Sequence, residues 1–198
     1  MLYLMEINNA YLESVKKQFL YYKTLGEKSF DQLEPEQLFV AVNDNTNSIA
    51  TIVHHLSGNM LSRWTDFLTT DGEKEWRNRD AEFENDMDTR QKMMTVWLAG
   101  WEVFLQTLNS LTEADLDKMI YIRNQGHTVM EAINRQLAHY PYHIGQIVYI
   151  GKLSATHWES LSIPRGNSQQ FNDTKFALPK TKVHFTDEVL QPKKHKDA

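Results

Sequence analysis

Apolar residues recur at three- and four-residue steps in four long stretches of this chain, the spacing that lines one face of a helix. From about Ile7 to Leu33, Tyr11, Val15, Phe19 and Tyr22 form such a stripe, and Pro35 limits its end. The second stretch runs from about Ser48 to Leu68, with Ile49, Val53, Leu56, Met60, Trp64 and Phe67 on one side. Asn47 or Ser48 can cap its start. The third, from about Asp88 to Ser110, has a wide face of Met94, Trp97, Leu98, Trp101, Phe104, Leu105 and Leu108. The fourth runs from about Val129 to Leu153, and Thr128 with Glu131 fits the capping box that starts it. Just before it, MIYIRNQGH (119–127) alternates weakly and contains Gly126. It reads as a short hairpin or an extended connection.

Two segments lack the helical period. Residues 71–90 hold eight acidic and four basic side chains, which predicts a solvated loop pinned by Trp76 and Phe83. After Trp158 the stripe fails. Residues 172–198 carry six lysines, four acids, Pro179 and Pro192, and read as an irregular or mobile tail ending in a frayed QPKKHKDA. Four amphipathic helices of this length predict an all-α fold, a four-helix bundle over residues 1–171 with the tail at 172–198. The long acidic connection allows a crossover between the second and third helices.

Composition narrows the function classes. A net charge of −5 over 198 residues gives the whole chain no basic footprint for nucleic acid. Nowhere do about 18 apolar residues run together, so no membrane span is expected, and MLYLME lacks the features of a signal peptide. There is no cysteine, which excludes disulfides, zinc–cysteine sites and a cysteine nucleophile, and fits a cytoplasmic protein. Any thiol chemistry needs a thiol that arrives with the substrate.

The chain has eight histidines. His139 and His143, in QLAHYPYHIGQIVYIGK, flank the apolar stripe of the fourth helix one turn apart. Side chains at i and i+4 lie one above the other, and two imidazoles so placed can chelate one metal ion. A third ligand would come from His54 or His55 on the second helix, between which periodicity does not decide. The Glu-x-x-His pairs of a di-iron bundle are absent, so a site here would be mononuclear. Pro141 lies between the two histidines. The apolar period resumes beyond it, so a kinked but continuous helix is expected. The kink would set the angle between the imidazoles, or free the Leu137 carbonyl to hold a ligand's second nitrogen. Gly145 would let another helix or a substrate approach.

The strings SIATIVHHLSGNM and RQLAHYPYHIGQIVYIGK resemble the DinB / YfiT-like superfamily. NMLSRWTDFLTTDGEKEWRNRDAEF and HWESLSIPRGNSQQFN are further similar to a bacterial branch of it. The resemblance covers roughly residues 5–172. It implies a four-helix bundle with a crossover, and one divalent metal ion (zinc, nickel or iron) held by three histidines with open positions left for water. By position these are His55, which precedes Leu56 as the family's histidine precedes its leucine, with His139 and His143; His54 becomes a solvent-facing neighbour. It also implies a small-molecule substrate and an S-transferase or isomerase that uses a low-molecular-weight thiol, and a homodimer. A metal-dependent hydrolase, or a bundle whose metal is only structural, are the alternatives. No general acid or base can be named: Glu102 and Glu131 fit a solvated face and a helix cap. Arg63 and Arg165 could bind an anionic substrate.

Overall fold

The computed structural model describes residues 2–84 and 87–190, with side chains from residue 10 onward. It is mostly helical. The long helices are α1 (Leu2–Phe30), α2 (Ile49–Trp64), α3 (Arg90–Ser110) and α4 (Val129–Ser154). A two-stranded antiparallel hairpin, β1 (Met119–Ile122) and β2 (Gln125–Thr128), precedes α4, and two short helices follow it, α5 (Ser168–Phe176) and α6 (Asp187–Leu190). Helix α1 packs on α3 and α4, and α2 packs on the same two helices. Among the described residues, no helix is long and apolar enough to cross a membrane.

The helix ends follow local chemistry. Ser48 caps α2 by accepting from the Thr51 amide, and the Thr128–Glu131 box starts α4 as expected. Helix α2 stops at Trp64 rather than Leu68, because Thr65 is extended (ψ 127°) and Asp66 is left-handed (φ 48°), and a right-handed helix continues through neither. The third helix starts at Arg90 with Thr89 as cap, two residues later than the sequence suggests. The hairpin turns at Arg123 and Asn124, both at positive φ. This is the backbone a two-residue primed turn needs. The Asp71 carboxylate steadies it by accepting from both amides, at 2.8 Å each.

The core is aromatic. Phe104 meets Phe19, Trp64 and Tyr140 with ring centroids 4.6, 4.7 and 5.3 Å away. On α3, Met93 is fully buried while Leu98 is 47% exposed, so the apolar face is narrower than predicted. Helices α2 and α3 approach closely where Gly100 meets Ser57: a Cβ there would lie 2.8 Å from the Ser57 Cα. Tyr140 is fully buried and its hydroxyl is used twice. It accepts from the Trp64 indole at 2.9 Å and donates to Asn59 Oδ1 at 3.1 Å. Tyr140→Phe strands both partners, and a cost of about 1–3 kcal/mol in urea unfolding is expected.

Two expectations are corrected. The acidic connection is not simply solvated. Gly72 bonds the Tyr121 carbonyl and Ser62, and a 3-10 turn at Ala81–Phe83 lies against α2. The Arg77 and Glu82 side chains are buried there, and of the two expected anchors Phe83 stacks on His55 while Trp76 is 60% exposed. The segment after residue 172 is not irregular throughout. Helix α5 runs across position 172, and α6 docks on α1 through a Lys17–Asp187 ion pair at 2.8 Å, a His184–Ser14 hydrogen bond and a Phe185–Tyr21 ring contact. Thr186 is fully buried beside them. A lysine-rich composition hid the few residues that make this contact. The QPKKHKDA segment lies outside the described residues.

A candidate metal centre

Helix α4 runs unbroken through Pro141, so His139 and His143 keep their one-turn stacking. Their Nε2 atoms face each other at 3.1 Å. His55 on α2 completes the group, with ring centroids 5.6 and 5.0 Å from those of His139 and His143. One ring nitrogen from each of the three lies within 4.8 Å of the others, an arrangement that could hold a metal ion. His54 is half-buried and outside the cluster.

Each ring is held by its other nitrogen. His139 Nδ1 bonds Gln136 Oε1 at 3.1 Å, and His143 Nδ1 bonds Gln146 Oε1 at 2.7 Å. His55 Nδ1 bonds Glu82 Oε2 at 2.9 Å. A carboxylate only accepts, so His55 Nδ1 carries the proton; with the glutamine oxygens assigned to the other two rings, the same tautomer there leaves each Nε2 a lone pair. In that tautomer two Nε2 lone pairs face each other at 3.1 Å, a contact that a cation between them would turn from repulsive to attractive. Nitrogens bound at about 2.05 Å to a tetrahedral ion sit roughly 3.3 Å apart, close to the spacing seen. The donor set therefore fits a divalent metal, and the outer partners fit it too: ligating imidazoles are ordinarily oriented by a second hydrogen bond.

These outer partners correct the reading of Pro141. The second nitrogens are held by Gln136, Gln146 and Glu82, not by the Leu137 carbonyl. The two glutamines were legible: Gln136-x-x-His139 and His143-x-x-Gln146 place each amide three residues from its ring, on the same helix face. Glu82 was hidden in the acidic run. Nothing lies within 4 Å of a Cβ built on Gly145, so no helix packs there.

Burial favours the neutral ring at His139 and His143. Burial, with His143, His55, Arg63 and Arg135 nearby, pushes His139 down to about 3. Burial also lowers His143, with His55 adding to it. Burial of Glu82 opposes ionisation, but hydrogen bonds from His55 and Arg77 and the charge of Arg77 outweigh it and hold the carboxyl below its usual range. Arg77 clasps Glu82 through Nε at 2.6 Å and Nη2 at 2.9 Å. Both Glu82 oxygens are thus engaged, and the Phe83 ring stacks on His55.

A pH dependence follows for protein stripped of metal by chelation. An unfolded histidine takes up its proton near pH 6.5, whereas folded His139 resists until about 3. The unfolded state binds protons first, so this contribution to stability is complete above about pH 6.5 and is lost as pH falls toward 3. The urea midpoint at pH 5 should lie below that at pH 7.5, and His139→Gln should flatten the difference.

The other histidines lie elsewhere. His184 binds Ser14 and Thr186, His127 is on β2, and His157 lines a separate surface hollow with Arg165. His195 is outside the described residues. Glu131 is spent on its capping box, and Glu102 is exposed and bonded to Gln106. Arg63, by contrast, is buried and lines a cavity with His55 and His139.

No curated protein and no solved structure matches the chain. One family model does, over residues 6–167, a span that contains all three histidines, both glutamines and Glu82. The chain therefore belongs to the family described as "Protein of unknown function (DUF1572)".

Proposed function

We propose that this protein is a metal-dependent enzyme acting on a small molecule, with one divalent ion held by His55, His139 and His143. The observation that carries this is the convergence of three imidazoles whose Nδ1 atoms are all engaged, with two Nε2 lone pairs 3.1 Å apart. A purely structural zinc usually takes four protein ligands. Three neutral ligands leave coordination positions open and leave the ion its full charge. Such an ion supplies Lewis acidity, favouring the deprotonated form of a thiol or water brought to its open side.

We favour a thiol as the activated group, in an S-transferase or isomerase. The chain has no cysteine, so the thiol comes with the substrate. Hydrolysis asks for a free general base beside the reacting water. The carboxylate on His55 is Glu82, which is clasped by Arg77 and oriented on the ring, a positioning role. In a transfer, the sulfur forms a bond to an electrophilic carbon, the leaving group departs with its electron pair, and the thiol proton passes to solvent. The likeness of the quoted motifs to the DinB / YfiT-like superfamily supports the same reading, together with its four-helix bundle and a cytoplasmic setting.

The test is cobalt substitution. Protein stripped and reloaded with cobalt(II) is titrated with 2-mercaptoethanol, and a new sulfur-to-metal charge-transfer band in the near ultraviolet is expected, absent in His139→Ala. Cobalt that binds but does not respond to the thiol defeats the thiol reading. Failure to take up any metal defeats the enzyme reading altogether.

A further inference from the structure

Beside the three histidines is a cavity of about 240 Å³. Five arginines line it, Arg63, Arg77, Arg79, Arg123 and Arg135, together with His55 and His139. This is a local reversal of sign in a chain whose net charge is −5.

The arginines are not equivalent. Arg77 is satisfied by Glu82 and Glu73. Arg123 pairs with Glu73 at 3.2 Å, and Arg79 lies over the Phe83 ring. Arg63 is different. It is 4% exposed, and its Nε and Nη1 are buried without a hydrogen-bond partner among the described residues. A buried guanidinium with unused donors is costly, and proteins pair such groups. Its planar fork matches carboxylate and phosphate oxygens. Arg135 adds an exposed guanidinium on the same cavity, one helical turn before His139.

We propose that this cavity binds the oxyanion group of the substrate, a carboxylate or phosphate, with Arg63 as its buried contact and Arg135 at the rim. The proposal deepens the metal-enzyme reading and rests on it for the word substrate. Helical rise sets the geometry. Arg63 follows His55 by eight residues and Arg135 precedes His139 by four, about 12 and 6 Å along their helices. Arg135 thus lies about one turn and Arg63 about two turns from histidines that line the same cavity, which places the anion beside the metal position. The volume suits a head group and is below the roughly 300–1,000 Å³ of sites that enclose larger ligands. The substrate class is thus a small acid or phosphate ester.

The experiment is calorimetric titration with inorganic phosphate and with acetate at low ionic strength, on metal-loaded and on chelator-stripped protein. Both forms should bind phosphate, acetate or both. Arg63→Met and Arg135→Gln should each weaken binding, Arg63→Met by roughly tenfold or more, while Arg165→Gln, outside the cavity, leaves it unchanged. Acetate and phosphate arms decide which head group is preferred. In anion-free buffer Arg63→Met should also melt higher than wild type, because it removes a buried unpaired charge; a lower melting point would mark Arg63 as structural and overturn the proposal. Absence of anion binding, or binding indifferent to both substitutions, overturns it as well and leaves the metal reading standing. Arginine-dependent anion binding by a protein that takes up no metal supports the subsite and defeats the enzyme reading instead.

Discussion

Alanine at His55, His139 or His143 is expected to reduce metal content from near one ion per chain to near zero, measured by elemental mass spectrometry after reloading. Each substitution removes one of three neutral nitrogen ligands from the cluster. The loss should exceed the roughly 10–100-fold that accompanies removal of an outer hydrogen-bond partner, because a bidentate remnant cannot surround the ion. His54→Ala is the control. It sits next to His55 in sequence but outside the cluster, and should bind metal as wild type does. His139→Ala and His143→Ala should stay folded, since each removes one side of the 3.1 Å contact between the two rings; His55→Ala leaves Glu82 its Arg77 partner, and circular dichroism checks that all three are folded. Equal metal in His54→Ala and His55→Ala, or retention of metal in His139→Ala, would sink the three-histidine assignment.

Gln136→Leu and Gln146→Leu provide a graded comparison. Each leaves the ligands in place and removes one Nδ1 acceptor. Affinity should fall by about 10–100-fold with the stoichiometry preserved at high metal concentration.

Local periodicity carried most of what the sequence revealed. The α4 stripe, its Thr128–Glu131 start and the one-turn stacking of His139 on His143 are all short-range facts. A helix with 3.6 residues per turn makes them readable from spacing alone. The choice of His55 over His54 was not local. It depends on which flank of α2 meets α4, and the motif likeness, not the helical wheel, pointed to it. The acidic connection was misread for a related reason. Glu82 and Arg77 look like two charges in a hydrophilic run, and only the return of that run onto α2 buries them against each other. The docking of α6 was missed in the same way, because a buried Thr186 and one Lys17–Asp187 pair leave no period. Charge composition predicts solvation on average; it does not say where a chain doubles back.

Glu82 ties these threads together, and its removal should produce the largest combined effect on stability and site. Its carboxylate is buried, accepts from His55 Nδ1, and pairs with an Arg77 side chain that is itself 3% exposed. Glu82→Ala leaves that guanidinium without its main partner, and breaking one side of a buried pair costs about 3–5 kcal/mol. For a chain of this size the melting temperature should fall on the order of 10 °C. The same change frees the His55 ring, so metal affinity should fall by roughly 10–100-fold. The double variant Glu82→Ala with Arg77→Met separates the two consequences. Removing the stranded charge should recover much of the stability, because an apolar replacement of a buried pair is often close to neutral. It cannot restore an acceptor for His55 Nδ1, so the affinity loss should persist. Gly58→Ala approaches the same point from α2. A Cβ at Gly58 would lie 2.2 Å from Glu82 Oε1, so the carboxylate must shift from its place between Arg77 and His55. Weaker metal binding together with a loss of stability is then expected. If the double variant recovered both stability and affinity, Glu82 would be serving Arg77 alone, and His55 would be oriented by the packing of Phe83.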